Sequence, residues 1–254
     1  MNNRYARRAV EALAPLLFWG GLLWLIAALL GRPLLLPTPP AILQSLLSLT
    51  ATGEFWLALL TSIGRVLGGL SLGVIIGTAL GITTYFFPSL SILIRPLLTV
   101  VRSTPVASFV VLIWSFTGGQ MLPLIIAALM VLPIVADGLS HGLREASPAL
   151  GEVATLYRLS PLRQFLIHRL PAALPSFFGA MTTSVGFAWK AGIAAEILAA
   201  TSGSIGKEIY FSRLYFETDD LWAWTLAVIL LSLALELFVK KTLLKISRKA
   251  GWAC

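Results

Sequence analysis

The stretch STPVASFVVLIWSFTGGQMLPLIIAALMVLPIVA, residues 103–136, runs thirty-four residues without a charged side chain. An apolar run of about 18 residues or more reads as bilayer-spanning, because only a helix or a closed barrel satisfies its own backbone groups in lipid. The run is too long for one span of about 20 residues. It breaks near its middle at Gly118-Gly119-Gln120. The expectation is two helices joined by a tight turn, and an all-α polytopic membrane protein around them.

Composition agrees. The chain has 254 residues, 57% hydrophobic and 12% charged, with a mean hydropathy of +0.88. Soluble domains carry about 25% charged residues. The one cysteine, Cys254, excludes an internal disulfide framework, and no Cys/His cluster suggests a metal. Arg7-Arg8 precede an apolar run from Ala12 to Gly31 that is longer than a usual signal core and lacks a clear A-x-A site before Arg32. It is expected to stay as the first span.

Hydropathy places six spans at about 12–30, 59–83, 93–116, 121–139, 175–199 and 221–239, which puts both termini on one side. The net charge of +8 then finds its explanation in topology rather than nucleic acid. Arg4, Arg7, Arg8, Lys240, Lys241, Lys245, Arg248 and Lys249 in the tails share a face with Arg144, Arg158, Arg163 and Arg169 of the long loop. The other face has only Arg32, Lys207 and Arg213, alongside Glu54, Glu208, Glu217, Asp219 and Asp220. The positive-inside rule makes the first face cytoplasmic.

The outer loop 31–58 carries Pro33, Pro37, Pro39 and Pro40, then a short apolar-periodic stretch from Ala41 to Leu49 that fits an interfacial helix. Span two repeats glycine at 64, 68, 69, 73, 77 and 81. That small-residue face serves close packing, either within the chain or between two copies. Trp19, Trp24, Trp56, Trp222 and Trp224 fit interfacial belts.

Residues 140–174 are too charged to span. Ser147-Pro148 and Ser160-Pro161 each offer an N-cap with proline at the first helical position. Two short helices are expected, about 148–158 and 161–170, broken at Leu159-Ser160 and Leu170-Pro171. Leu150, Val153, Ala154 and Tyr157 share one face of the first; Leu162, Phe165, Leu166 and Arg169 share one face of the second. Such an amphipathic pair lies in headgroups, packs under its own bundle, or docks into a partner's groove.

Glu152-Val153-Ala154, followed nineteen residues after the glutamate by Pro171-Ala172-Ala173-Leu174-Pro175, resembles the EAA loop of binding-protein-dependent ABC importer permeases. Glu145-Ala146 with Gly151 has the local pattern but the wrong distance to the prolines. The glycine usual six residues after the glutamate is Arg158 here. Leu36-Pro37-Thr38-Pro39, the run Ser62–Gly69, Ala188-Trp189-Lys190 with Ala194-Ala195-Glu196, and Ser204-Ile205-Gly206 are similar to the nitrate, sulfonate and taurine branch of those permeases. The resemblance implies a type I permease, one transmembrane domain over 1–254 with residues 140–174 as its coupling loop. It implies two copies forming the pore, an ABC ATPase gripping Glu152, Val153, Ala154, Tyr157, Arg158 and Leu162, and a periplasmic or lipid-anchored solute-binding protein. It also implies a multi-pass position in the cell inner membrane, with lipid as a further partner and no cofactor. No GxxxxGK[ST] loop occurs, so this chain is expected to be no enzyme and to rely on a separate ATPase.

Arg65, Arg95, Arg102, Asp137, Lys190, Glu196 and Glu236 fall in or at the edges of spans, where ionisable groups face protein or a cavity. Snorkelling to the boundary accounts for Arg95 and Glu236. Arg102, Lys190 and Glu196 are candidates for the translocation path of an anionic solute. The competing reading pairs these cations with Asp137 or Glu196 of a neighbouring span. Lys190 and Glu196 are six residues apart on one helix and point to different sides. A secondary transporter would need coupling carboxylates in paired repeats, and a membrane-embedded enzyme would need more than His141 and His168; neither pattern is present.

Overall fold

The computed structural model describes residues 2–249. Cys254 lies outside them, as do the side chains of Arg4, Arg7, Arg8, Arg248 and Lys249. The described chain is helical throughout, with no strand. Its helices are α1 (Asn2–Leu30), α2 (Pro39–Thr50), α3 (Gly53–Phe86), α4 (Pro88–Ser103), α5 (Val106–Thr117), α6 (Leu122–Arg144), α7 (Pro148–Leu156), α8 (Pro161–Gln164), α9 (Leu170–Ala199), α10 (Ile205–Leu214) and α11 (Thr218–Lys249). A π-turn, Phe165–Arg169, joins α8 to α9.

The chain packs as two compact units. One comprises residues up to Leu57 together with Glu208–Ile229; the other comprises Ala58–Lys207 with the chain from Leu230 on. In the first, extended Thr38 and then Pro39-Pro40 at the first helical positions start α2. A helix thus forms where one was expected, over 41–49. Its Ser45 Oγ donates to Asp220 at 2.5 Å, and Phe55 stacks on Trp224 with ring centroids 4.9 Å apart.

The second unit is organised around α6, and the glycines of α3 explain how. A Cβ on Gly69, Gly73, Gly77 or Gly81 would lie 2.3–2.8 Å from the backbone oxygens of Leu124, Ala128, Leu132 and Ala136 in turn. The glycine stripe is thus spent inside the chain, laying α3 directly on the backbone of α6. In lipid the helices gain little from hydrophobicity, so such contact is the main source of association. On its other side α6 meets α9, where Gly138 faces the Ala180 methyl and Gly142 faces the Ala173 backbone. Val110, Leu122, Ile126, Ala191 and Ala195 close a core between α5, α6 and α9.

Two span expectations change. The stretch 93–116 is not one straight helix: α4 and α5 meet at an angle of 104°. Pro105 has no N–H and pushes Thr104 into an extended conformation (φ −82°, ψ 130°), which ends α4. Among the described residues α3, α6 and the Thr218–Lys245 part of α11 are long and apolar enough to cross a bilayer, and the bent pair makes four. The expected fifth span, 175–199, lies within α9, but Ser176, Thr182, Thr183, Ser184 and Lys190 dilute its apolarity. The apolar part described in α1 is the short stretch Leu17–Leu30.

Candidate functional site

The loop between α6 and α9 folds as a helical hairpin. Its first arm, α7, starts at Ser147-Pro148 and ends in a left-handed residue, Arg158, with φ 51°. The Arg158 N–H donates to Thr155 O at 2.9 Å and the Leu159 N–H to Ala154 O at 3.1 Å. This pair of bonds is the Schellman closure, whose left-handed position glycine usually fills. The second arm begins at Ser160-Pro161 as expected, but no break follows at Leu170-Pro171. Instead the Leu170 N–H reaches back five residues to Phe165 O. Widening that turn makes room for the Pro171 ring, which would otherwise strike the carbonyl four residues earlier.

Aromatic and basic contacts fix the hairpin beneath α3. Phe165 packs on Phe86, with centroids 5.1 Å apart. The Arg169 guanidinium lies 5.4 Å from the Tyr85 ring centre, and Arg144 donates to Thr84 O at 3.2 Å. Between the arms runs a groove of about 680 Å³ lined by Leu150, Val153, Ala154 and Tyr157, the face that helical spacing had grouped, with Ile167 and Pro171 opposite. Of the six expected contact residues, Glu152, Val153, Tyr157, Arg158 and Leu162 are exposed, whereas Ala154 is buried at the groove floor. Leu156 is 83% exposed and escaped the sequence reading. It lies one residue off the face that periodicity picked out. The His168 ring nitrogens are buried without a hydrogen-bond partner, and His141 pairs with Glu145 at 3.4 Å on the surface.

The intramembrane charges resolve into separate places. Glu196 is wholly buried. Its Oε2 accepts from Ser62 Oγ at 2.7 Å and from the Gly206 N–H at 3.3 Å. Arg65 Nη1 stands 3.7 Å from its Oε1. The same arginine donates to Gln120 Oε1 at 2.5 Å and to Ser202 O at 3.1 Å, while Ser62 Oγ accepts from the Ile205 N–H at 3.0 Å. This knot ties α3, α9, the 118–121 turn and the 200–206 loop together; the sequence singled out Arg65 and Glu196 as charges but did not link Ser62 or Gln120 to them. Arg102 pairs with Asp137, both side chains 48% exposed, and also donates to Pro133 O at 3.1 Å. Lys190 is exposed on α9. Glu236 turns inward, its Oε1 filling the notch left by Gly186 on α9, so it does not simply snorkel.

The family model described as "Binding-protein-dependent transport system inner membrane component" matches residues 69–243. The chain belongs to this family. The permease is 28% identical over 232 residues to a probable ABC transporter permease protein of Haemophilus influenzae, covering 89% of this chain and 93% of that one. It is 26% identical over 222 residues to the taurine transport system permease protein TauC of Escherichia coli, covering 84% and 80%. It is 27% identical over 188 residues to the bicarbonate transport system permease protein CmpB of Synechococcus elongatus, covering 74% and 67%. The matched region of the permease contains the whole hairpin.

Arg158 makes that hairpin less stable than it could be. A non-glycine residue in the left-handed region costs about 1–2 kcal/mol. Arg158→Gly is expected to stabilise the turn by about 1 kcal/mol, part of the gain being offset by glycine's freedom in the unfolded chain. Slower amide exchange at Leu159 is the check.

Proposed function

We propose that the permease is the membrane-spanning subunit of an ABC importer for small anionic solutes, driven by a separate ATPase docked on the 147–169 hairpin. A solute-binding protein feeds it from outside, and a second copy completes the pore. One observation carries this: a chain otherwise built for lipid holds out a hairpin with Leu156, Tyr157 and Leu162 at 83%, 75% and 69% exposure, braced against the inner end of α3 by Phe165, Arg169 and Arg144. Apolar side chains presented at helical spacing suit a partner's groove. The bracing lets a movement of the docked partner reach α3 and α9, and docking that favours one arrangement of the spans shifts the population toward it.

The solute class follows from two supports. The taurine, aliphatic sulfonate and bicarbonate permeases that the chain resembles are named for solutes that share an anionic oxygen group. Arg102 and Lys190, both exposed, supply cations on the matched helices. Arg102 sits beside the α4–α5 break, and a broken helix at membrane depth is tolerated only where it is buried in protein or lines a watery cavity. Glu196, locked in its knot, serves the scaffold rather than the path. The docking claim is tested by purifying the complex through a tag on the permease. Replacing Leu156 and Tyr157 by aspartate is expected to lower retained ATPase subunit at least about tenfold, a loss of ~1.4 kcal/mol or more. Undiminished retention would contradict it.

A further inference from the structure

Arg102 is not a free cation. Its guanidinium is held by the Asp137 carboxylate from α6, and the pair is neutral as it stands. Such a pair would offer a passing anion little net attraction, yet both side chains are 48% exposed, which charged groups in lipid avoid. The pair also stands two residues before the break at Thr104-Pro105, where open backbone needs protein or water around it. Its two members come from different helices, and the Arg102 Nη2 that meets the carboxylate also donates to Pro133 O at 3.1 Å. Removing the carboxylate therefore leaves the cation tethered in place.

We propose that Asp137 is a built-in substitute for the transported anion: its carboxylate occupies Arg102 when the permease is empty and is displaced by the solute's sulfonate or carboxylate at the elbow. This rests on the anion-importer reading above. The guanidinium fork matches planar carboxylate and the oxygens of sulfonate alike, so one anion replaces another without leaving the arginine unpaired, while the displaced Asp137 carboxylate is freed. Exchange also keeps the site weak. A bare arginine in a low-dielectric cavity would retain the anion, whereas a returning carboxylate drives it off, and transport needs both entry and release. Because Arg102 is open to solute only in the fraction of time that Asp137 is away, apparent affinity is reduced by that fraction.

The test uses the complete complex in vesicles, with taurine, ethanesulfonate and bicarbonate as the panel, reading ATP-driven uptake and its inhibition by the same anion on the cytoplasmic face. Asp137→Asn is expected to be inhibited at about tenfold lower anion concentration than wild type. Arg102→Gln/Asp137→Asn is expected to lose that sensitivity. A purely structural ion pair would lower the yield of assembled complex and leave the inhibition constant alone; an unshifted constant in Asp137→Asn overturns the exchange. If that variant does not assemble, the wild-type complex decides by carbodiimide labelling at Asp137. Labelling is expected to rise when the anion is added, with Arg102 protected from phenylglyoxal; unchanged or falling labelling overturns the proposal. A wild-type complex that imports none of the panel removes the anion reading and the exchange with it. Import with an unshifted constant removes the exchange alone.

Discussion

Gly69→Ala is expected to unfold the permease at a temperature lower by roughly 10 °C, the shift that about 3 kcal/mol produces in a chain of this size. The added methyl would stand 2.3 Å from Leu124 O and 2.7 Å from the Ala127 Cβ. Neither can retreat, because Ala127 is wholly buried and Leu124 O belongs to the backbone of α6. The helices must separate, and the same separation would have to run along Gly73, Gly77 and Gly81, which meet α6 in the same way. Gly64→Ala is the control. Nothing lies within 4 Å of a Cβ there, and alanine is the better helix former by about 1 kcal/mol. It should be neutral or slightly stabilising. Thermal unfolding of the two purified variants, followed by size-exclusion chromatography, checks the pair. Equal midpoints would mean that α3 does not rest on α6.

Glu196→Ala is expected to destabilise by about 3–5 kcal/mol, the usual consequence of stranding one member of a buried ion pair. Arg65 keeps 16% exposure in its side chain and Glu196 none, so water cannot take over the carboxylate's role. Two further donors, Ser62 Oγ and the Gly206 N–H, lose their acceptor at the same time. Arg65→Met combined with Glu196→Leu should recover most of the loss, because it removes both charges together. A double-mutant cycle on thermal stability measures the coupling. Additive single losses would show that the two side chains do not depend on each other.

The contrast between these two sites shows what the sequence could carry. The glycine stripe was visible because helical spacing is periodic, although periodicity left open whether it met α6 or a second copy; the answer depends on distances along a different helix. The helices of the outer loop and the first hairpin arm were legible from proline at N1 and from apolar faces. The elbow after α4 was not, since hydropathy averaged over 93–116 hides a local break, and Thr104-Pro105 was the signal that could have found it. The polar knot around Glu196 joins residues as far apart as Ser62 and Gly206, and no short-range pattern encodes such a meeting. Arg158 is the opposite case. The loop motif marked its position as one for glycine, and the backbone there is left-handed, so local geometry is kept while the residue that suits it best is not.

The 147–169 hairpin, in the function proposed above, faces the cytoplasm and is held by the ATPase subunit. A cysteine placed at Leu156, 83% exposed at the end of α7, in a Cys254→Ser background tests it by short-range thiol cross-linking in the intact complex. The expected product contains the ATPase subunit, forms in inverted vesicles and is blocked by a thiol reagent added to their outer, originally cytoplasmic, surface. A product with the solute-binding protein, or labelling of Leu156→Cys by an impermeant reagent from the outside of whole cells, would contradict it.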